Sequence, residues 1–429
     1  MSDVNRRSFL QATSAAAIAT SVHVASAQEE TKDEEKKPIR MAVMGVNGRG
    51  RQLISGFSKF PEVQITHVCD PDARVIPRAI QTLSKLGKPT PKVEKDFRTV
   101  LDDPNVDVLV CAAPDHWHAL ATILACQAGK DVYVEKPVSH NIVEGRRMIE
   151  AARKYKRVVG SGTQRRSGAD FQAAIKQLRS GRLGDVNFAR CWINSTRPNI
   201  GYAKPKKAPS DLDFDLWCGP AGNDGYLDNL IHYHWHWRWN YGTGESGNNG
   251  IHALDIARWG LDVDYPNTVC CGGDKYFFDD DQETPDTQLA TFDFDNAAIQ
   301  WEHRTWSRRG IEGNSFGIAF YGSEASLITQ KSGWSIFRGD KLIETHKGAE
   351  RELAHLGNYL ECLRTREKPN ADIEICHKST VLCHLANIAW RTRSTIQFDG
   401  EDEAIIGNDE AAALLSRTYR KGFEIGDTV

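Results

Sequence analysis

The sequence predicts two architectures in series: an α/β domain on a parallel sheet over residues 38–162, and an α+β domain over residues 163–429. Three observations predict the first. One short apolar run ends in a glycine-rich turn that opens a helix, a second ends in an acidic residue, and a third, Val132-Tyr133-Val134, runs into Glu135-Lys136-Pro137. Alternating apolar and polar runs, Asp286 to Phe294 and Ala298 to Glu302, followed by helical stretches Glu352 to Thr365 and Ile373 to Thr392, predict the second.

The first strand is Ile39 to Met44, and it leads into Gly45-Val46-Asn47-Gly48-Arg49-Gly50 and a helical pattern from Gln52 to Phe60. Glycines serve such a turn because backbone N–H groups must come close to an anion held at the helix N-terminus. Asn47 stands where the commoner spacing has its second glycine, a mild change because Asn tolerates left-handed backbone. Val63 to Cys69 forms the second strand and ends in Asp70, about twenty residues beyond Gly50. A carboxylate there accepts hydrogen bonds from an adenosine ribose and repels a 2′-phosphate, so the expected cofactor is NAD rather than NADP. With the apolar strand Val106 to Ala112, this is a Rossmann reading. Its cofactor contacts are Gly45, Asn47, Gly48, Arg49, Gly50 and Asp70. Pro137 ends the next strand because it cannot donate to a ladder, leaving Lys136 at a carboxyl end, where ligands of open α/β sheets bind.

These motifs, with Ala113-Pro114-Asp115-His116-Trp117-His118-Ala119 and Gly250-Ile251-His252-Ala253-Leu254-Asp255 further on, make the chain resemble the Gfo/Idh/MocA family of NAD(P)-dependent oxidoreductases beyond residue 38. The resemblance implies a C-terminal α+β domain whose large, mostly antiparallel sheet keeps one face open for homo-oligomer contacts. It also implies late helices that pack back on the Rossmann domain. Pro114, His118, Glu135 and Lys136 become cofactor-side positions.

In dehydrogenases of this family the lysine of Glu-Lys-Pro and an Asp-x-x-x-His pair surround the carbon that yields hydride. Lys136 and His252 match, but Asn248 stands where the family has its aspartate. An oxidised hydroxyl must lose a proton, so the site needs a base and an oxyanion stabiliser. Histidine titrates near neutrality, which makes His252 the expected proton acceptor and Lys136 the stabiliser, with exchange of the two roles open. Asp255 is a candidate substrate contact or a structural carboxylate in the first helical turn. The run His232-Tyr233-His234-Trp235-His236-Trp237-Arg238-Trp239, read as extended, points three histidines to one face and its rings to the other. No accompanying cysteine or carboxylate has metal-ligand spacing, so no metal is expected. Indole faces pack on sugar C–H faces while polar groups bond hydroxyls, so Tyr233, His234 and Arg238 join Gln164 and Arg165 as substrate candidates. A buried aromatic cluster is the competing reading.

The net charge of −3 provides no basic footprint for nucleic acid, and no stretch beyond the first thirty residues approaches bilayer-spanning length. Residues 1–27 read as an address: Arg6-Arg7-Ser8-Phe9-Leu10, an Ala-rich apolar segment, then Ala25-Ser26-Ala27, the pattern of a twin-arginine signal for periplasmic export. Residues 28–37 are a charged linker. The expected membrane span of the mature protein is none. Cys69, Cys111 and Cys191 fall in apolar strands as core residues, Cys270 and Cys271 have no assignable partner, and few or no disulfides are expected. Three functions remain open at this stage. The first is oxidation or reduction of a sugar, sugar derivative or cyclitol with tightly held NAD. The second is redox-neutral, NAD-dependent glycoside hydrolysis, and the third is cofactor binding without catalysis.

Overall fold

The first six strands, β1 (Ile39–Met44), β2 (Val63–Cys69), β3 (Lys92–Glu94), β4 (Val108–Cys111), β5 (Asp131–Val134) and β6 (Val159–Ser161), form one parallel sheet in the order β3-β2-β1-β4-β5-β6. The chain reverses its direction of travel across the sheet between β1 and β4, and a crevice opens outside the carboxyl ends of strands at such a point. This is a computed structural model, and it describes residues 37–330, 333–426 and 428–429. The twin-arginine segment 1–27 and nearly all of the linker 28–37 therefore lie outside the described residues.

The second sheet has ten strands: β7 (Val186–Asn194), β8 (Thr268–Asp274), β9 (Thr287–Asp293), β10 (Ala298–Arg304), β11 (Phe316–Gly322), β12 (Ser326–Thr329), β13 (Gly333–Arg338), β14 (Lys341–Lys347), β15 (Ile396–Asp399) and β16 (Ala404–Ile406). Their order is β14-β13-β12-β11-β7-β10-β9-β8-β15-β16, antiparallel except where β10 runs parallel to β7. The helices Ala169–Arg179, Ile251–Leu261 and Ile373–Thr392 cover one face, burying Phe292, Trp301 and Phe320. The other face carries a small cluster of Trp192, Ala319 and Ile328, and leaves Phe188 and Leu289 exposed.

Late helices complete the core of the first sheet. The helix Glu352–Thr365 buries Leu356, Tyr359 and Leu360 against β1, β2 and β5, and the start of Ile373–Thr392 enters the core on the other face of the same sheet. Both helices have the limits that their apolar spacing predicts. Asp372 caps the second by accepting from the Glu374 N–H. Residues Pro38–Val429 accordingly form one unit. Among the described residues, no helix is long and apolar enough to cross a membrane.

Asp255 does not reach the crevice, which corrects its placement among the substrate contacts. It is 1% exposed, receives Arg166 Nε at 2.9 Å and Ser379 Oγ at 2.6 Å, and so locks the helix Ile251–Leu261 to the turn after β6 and to Ile373–Thr392. A buried guanidinium left without its carboxylate is strongly unfavourable. Asp255→Ala should therefore lower unfolding free energy by ~3–5 kcal/mol in urea titration, and wild-type stability in that variant would remove the structural role.

Candidate functional site

Gly45 turns the chain with a φ of +80°, and a Cβ there would stand 2.6 Å from the Ala113 backbone. Gly50 is equally constrained: its Cβ would lie 1.8 Å from the Gly45 carbonyl oxygen. Gly48 differs, because no protein atom lies within 4 Å of where its Cβ would be, so the space it leaves open belongs to the cleft. Gly48 is also the N-cap of the nine-residue helix Arg49–Phe57 and supplies no side-chain acceptor, which leaves first-turn N–H groups for an external anion.

The cleft has a volume of about 670 Å³ and runs along the carboxyl ends of β1, β2, β4 and β5. Asn47, Gly48 and Arg49 line it with Asp70, Pro114, His118, Glu135, Lys136 and Asn248. Asp70 accepts the Val46 N–H at 2.9 Å and the Asp72 N–H at 3.0 Å, so it clasps the glycine loop as well as facing the cleft. Burial raises it to about 6 against the pull of those two N–H groups. His118 spans two backbone carbonyls, Pro137 at 2.6 Å and Ala113 at 2.9 Å, and thereby sets the spacing between the β4 and β5 ends. An open cradle over Gly48, an uncapped helix start and a carboxylate at the β2 end fit the pyrophosphate and ribose of a dinucleotide.

At the other end of the cleft Glu135 accepts Arg49 Nε at 2.6 Å. Burial opposes ionisation of Glu135, but Arg49 and Lys136 outweigh it and hold the carboxyl below its usual range. Lys136 donates from Nζ to the Asn248 carbonyl at 2.6 Å and to Asn248 Oδ1 at 3.3 Å. Asn248 sits on a widened, π-helical turn, Ser246–Gly250, that precedes the helix carrying His252. Burial lowers the Lys136 ammonium against the attraction of Glu135, Asp115 and Glu245. His252 is driven well below the usual histidine range by burial and then by the charges of Lys136, Arg165 and Arg49, and its Nδ1 has no partner among the described residues.

The aromatic segment is not extended. Residues His234–Trp237 form a 3-10 turn, so the face alternation expected for the run fails; His232, Tyr233, Trp235 and His236 reach the cleft while Trp237 is buried. Tyr233 faces the cleft with its hydroxyl accepting from Arg197 at 2.6 Å. Arg238 is instead occupied by Asp281 at 2.7 Å and is not among the cleft residues. His234 also stays off the cleft lining, with Nδ1 buried and unpartnered among the described residues. Gln164 and Arg165 occupy the turn after β6, beside the Glu135-Lys136 corner, because β6 pairs directly with β5.

Several cleft residues had no sequence signal strong enough to single them out. His236 stacks on Trp235 at 3.6 Å, and burial takes it down to about 3. Asp115, raised to about 6 by burial, accepts from Thr243 at 2.7 Å, a residue 128 positions away. His232 reaches across to Asp72 at 2.7 Å, next to the β2 end. The three-histidine spacing was visible, but only the turn decides which of those rings face the cleft. Among the described residues, no group of three or more His, Cys, Asp or Glu side chains could hold a metal ion.

A family model described as oxidoreductase family, NAD-binding Rossmann fold (Gfo/Idh/MocA), matches residues 39–163. Its companion, the C-terminal alpha/beta domain, matches residues 181–286 and 340–425, so the two together span more than half of the chain. Among curated relatives, glycosyl hydrolase family 109 protein 2 of Shewanella sp. (strain ANA-3) is 27% identical over 205 residues, covering 43% of this chain and 45% of the relative. A glycosyl hydrolase family 109 protein of Saccharopolyspora erythraea is 28% identical over 159 residues, covering 36% of this chain and 35% of its own length. The chain thus matches less than half the length of these relatives. Among solved structures, the WlbA dehydrogenase from Bordetella pertussis in complex with NADH and UDP-GlcNAcA has a TM-score of 0.64 at 20% identity, over 85% of this chain and 99% of that one. Levoglucosan dehydrogenase in complex with NADH and L-sorbose has a TM-score of 0.66 at 14% identity, over 84% of this chain and 98% of that one. Likeness at such identity establishes the fold.

Gly48 supports a sharp test of the cofactor cradle. Gly48→Ala meets no protein atom and needs no left-handed backbone, so the variant should keep its thermal midpoint while its NAD affinity falls about tenfold or more, since the methyl enters the cradle. Calorimetric titration decides it, and unchanged affinity would move the binding site elsewhere.

Proposed function

The chain belongs to the Gfo/Idh/MocA oxidoreductase family, and from that premise we propose that it oxidises or reduces a hydroxyl-bearing carbon of a sugar, sugar derivative or cyclitol. The observation that carries this reading is the Lys136–Asn248 hydrogen bond inside the same cleft that holds the dinucleotide cradle, with His252 near enough to feel the Lys136 charge although it is not among the residues that line the cleft. Bound NAD supplies the hydride acceptor. Gly45, Asn47, Gly48 and Arg49, which line the cleft, would hold its pyrophosphate and Asp70 its adenosine ribose, Gly50 shaping the loop from behind, and NAD would be preferred to NADP because a 2′-phosphate would meet the Asp70 carboxylate.

Burial of both groups supports exchanging the roles that histidine's ordinary titration range favours. His252, depressed so far, is a weak base, and it serves better as a neutral partner for a substrate hydroxyl. Burial lowers Lys136 from the usual lysine range, the direction that makes a lysine a better general base. Asn248 aims the ammonium without contributing a carboxylate that would stabilise it, so Lys136 can accept the hydroxyl proton as the carbon is oxidised.

A second reading is favoured by the curated relatives and by the neutral Asn248: redox-neutral glycoside hydrolysis. A sugar hydroxyl is oxidised, the neighbouring C–H is acidified, the aglycone is eliminated, water adds, and the hydroxyl is restored. Aglycone release without net NADH separates this reading from net dehydrogenation.

We further propose export by the twin-arginine route to the periplasm and self-association through the open face of the ten-stranded sheet, where Phe188 and Leu289 are exposed. Arg6→Lys with Arg7→Lys should leave precursor in the cytoplasm on fractionation, because the paired guanidinium groups rather than charge alone are read. Light scattering tests the association, and a monomeric mass in solution would remove it.

The chemistry is tested by single-turnover kinetics after mass spectrometry has identified the cofactor released from purified protein. Lys136→Ala should slow turnover by ~100- to 10,000-fold, and His252→Ala, which removes a hydrogen-bond partner of the substrate, by about tenfold or more, with NAD affinity nearly unchanged in both. A base must be neutral to act, so the rate rises with pH through the Lys136 pKa. Asn248→Asp stabilises the ammonium and should move that limb to higher pH. A limb that stays in place, or full activity in Lys136→Ala, would exclude Lys136 as the base.

A further inference from the structure

Acidic side chains around the carboxyl ends of β5 and β6 are already taken. Glu135 accepts from Arg49 at 2.6 Å, and the same guanidinium holds Glu352 at 2.7 Å. Arg166 holds Asp255 at 2.9 Å, and Arg351 closes on Asp170. Arg165, next to Arg166 in the turn Gln164–Ser167, has neither a carboxylate nor any other hydrogen-bond acceptor among the described residues. Its guanidinium instead lies over aromatic rings, 4.3 Å from the centre of Phe316 and 5.3 Å from that of Phe171. Arg165 is only partly buried, so the rings cover the face of the guanidinium without taking all of it out of water, and they supply no acceptor for its N–H groups. Burial, with the Arg351 charge nearby, pushes Arg165 down to about 9.

The location is as informative as the missing partner. Val134 and Ser161 are paired across β5 and β6, and the Gly162 N–H donates to the Val134 carbonyl at 3.0 Å, so the turn bearing Arg165 begins beside Glu135-Lys136. A Cβ on Gly162 would lie 2.5 Å from the Glu135 carboxylate, which shows how close the two segments run. Gln164 Oε1 and His252 Nδ1 are also buried without partners among the described residues, and the Arg165 charge is one of those felt by His252. A positively charged donor and two unsatisfied polar atoms therefore stand beside the Glu135-Lys136 corner, next to the cleft though not among the residues that line it.

We propose that Arg165 is an anion subsite and that the reacting sugar carries a carboxylate, as a hexuronic acid or its glycoside does; this rests on the carbohydrate reading above. With its face on Phe316, the guanidinium offers the N–H groups along its edge, and a planar fork of N–H donors matches a carboxylate in two parallel hydrogen bonds. Neutral hydroxyls would leave the charge unbalanced. A sugar phosphate would balance it without matching the flat edge as well, and is kept as a separate arm of the test.

The experiment titrates NAD-loaded protein, by calorimetry, with methyl glycosides of glucuronic and galacturonic acid in both anomers. The corresponding methyl hexosides and hexose 6-phosphates are titrated alongside, and cofactor reduction is followed for each. At least one uronide should bind about tenfold or more tighter than its neutral counterpart. Arg165→Gln should weaken the uronide by about 10- to 100-fold and so remove most of its advantage over the neutral sugar, while NAD binds as before, with Arg165→Lys intermediate. Equal binding of acid and neutral sugars, a preference that survives in Arg165→Gln, or tight binding of phosphates alone each overturns the carboxylate subsite and leaves the oxidoreductase reading intact. Failure of every sugar to bind or react overturns the carbohydrate reading itself. If Arg165→Gln does not fold, the wild-type ranking and Arg165→Lys still decide.

Discussion

The Glu135 carboxylate is the point through which the site is assembled. It lies buried at the end of β5, receives Arg49 from the helix that opens on the glycine loop, and stands next to the Lys136 ammonium. Arg49 in turn reaches Glu352 at the start of a helix more than three hundred residues later, so one ion network joins the cradle, the Lys136 corner and the C-terminal half. Gly162 has to lack a side chain because that carboxylate occupies the space. Removing one member of such a buried network leaves the others uncompensated, which makes the corner rigid.

Rigidity at this corner has an electrostatic consequence. Positive charge is concentrated where the sheet ends meet the second domain, and the local carboxylates are claimed by Arg49, Arg166 and Arg351. Lys136 is left with a neutral amide as its nearest hydrogen-bond partner, and Arg165 with aromatic rings. Histidines in the same region stay neutral: His252, His355 and His236 are all lowered, with burial the leading cause. An environment of this kind favours negative charge that develops on a reacting oxygen or arrives on the ligand.

The second domain does more than supply residues to one wall. Its segment around Leu212 pairs with Asp72 beside the β2 end, and His232 binds the same aspartate. His116 and Trp117, from the loop after β4, both bond the Trp217 carbonyl. The β2 and β4 ends of the cleft are therefore tied to the second half by one main-chain bridge and several side-chain hydrogen bonds.

Much of this was legible in the chain itself. The strand, glycine turn and helix at Ile39–Phe57, Asp70 at the end of β2 and Lys136 at the end of β5 are encoded within a few residues each, because turn stereochemistry and strand burial are local. The helices Glu352–Thr365 and Ile373–Thr392, separated by the Lys368-Pro369-Asn370-Ala371-Asp372 break, were readable for the same reason. What only tertiary structure decided depends on residues far apart in sequence. Asp255 became a structural partner because Arg166 and Ser379 arrive from 89 and 124 positions away. The run His232 to Trp239 winds into a turn rather than a strand, since contacts to Asp72, Arg197 and Glu283 replace sheet pairing. Arg165 is left without a carboxylate because folding assigns each nearby acid to another arginine. Local chemistry dictates which groups a segment offers, whereas burial and charge are sums over everything packed around it, and only the folded chain performs that sum.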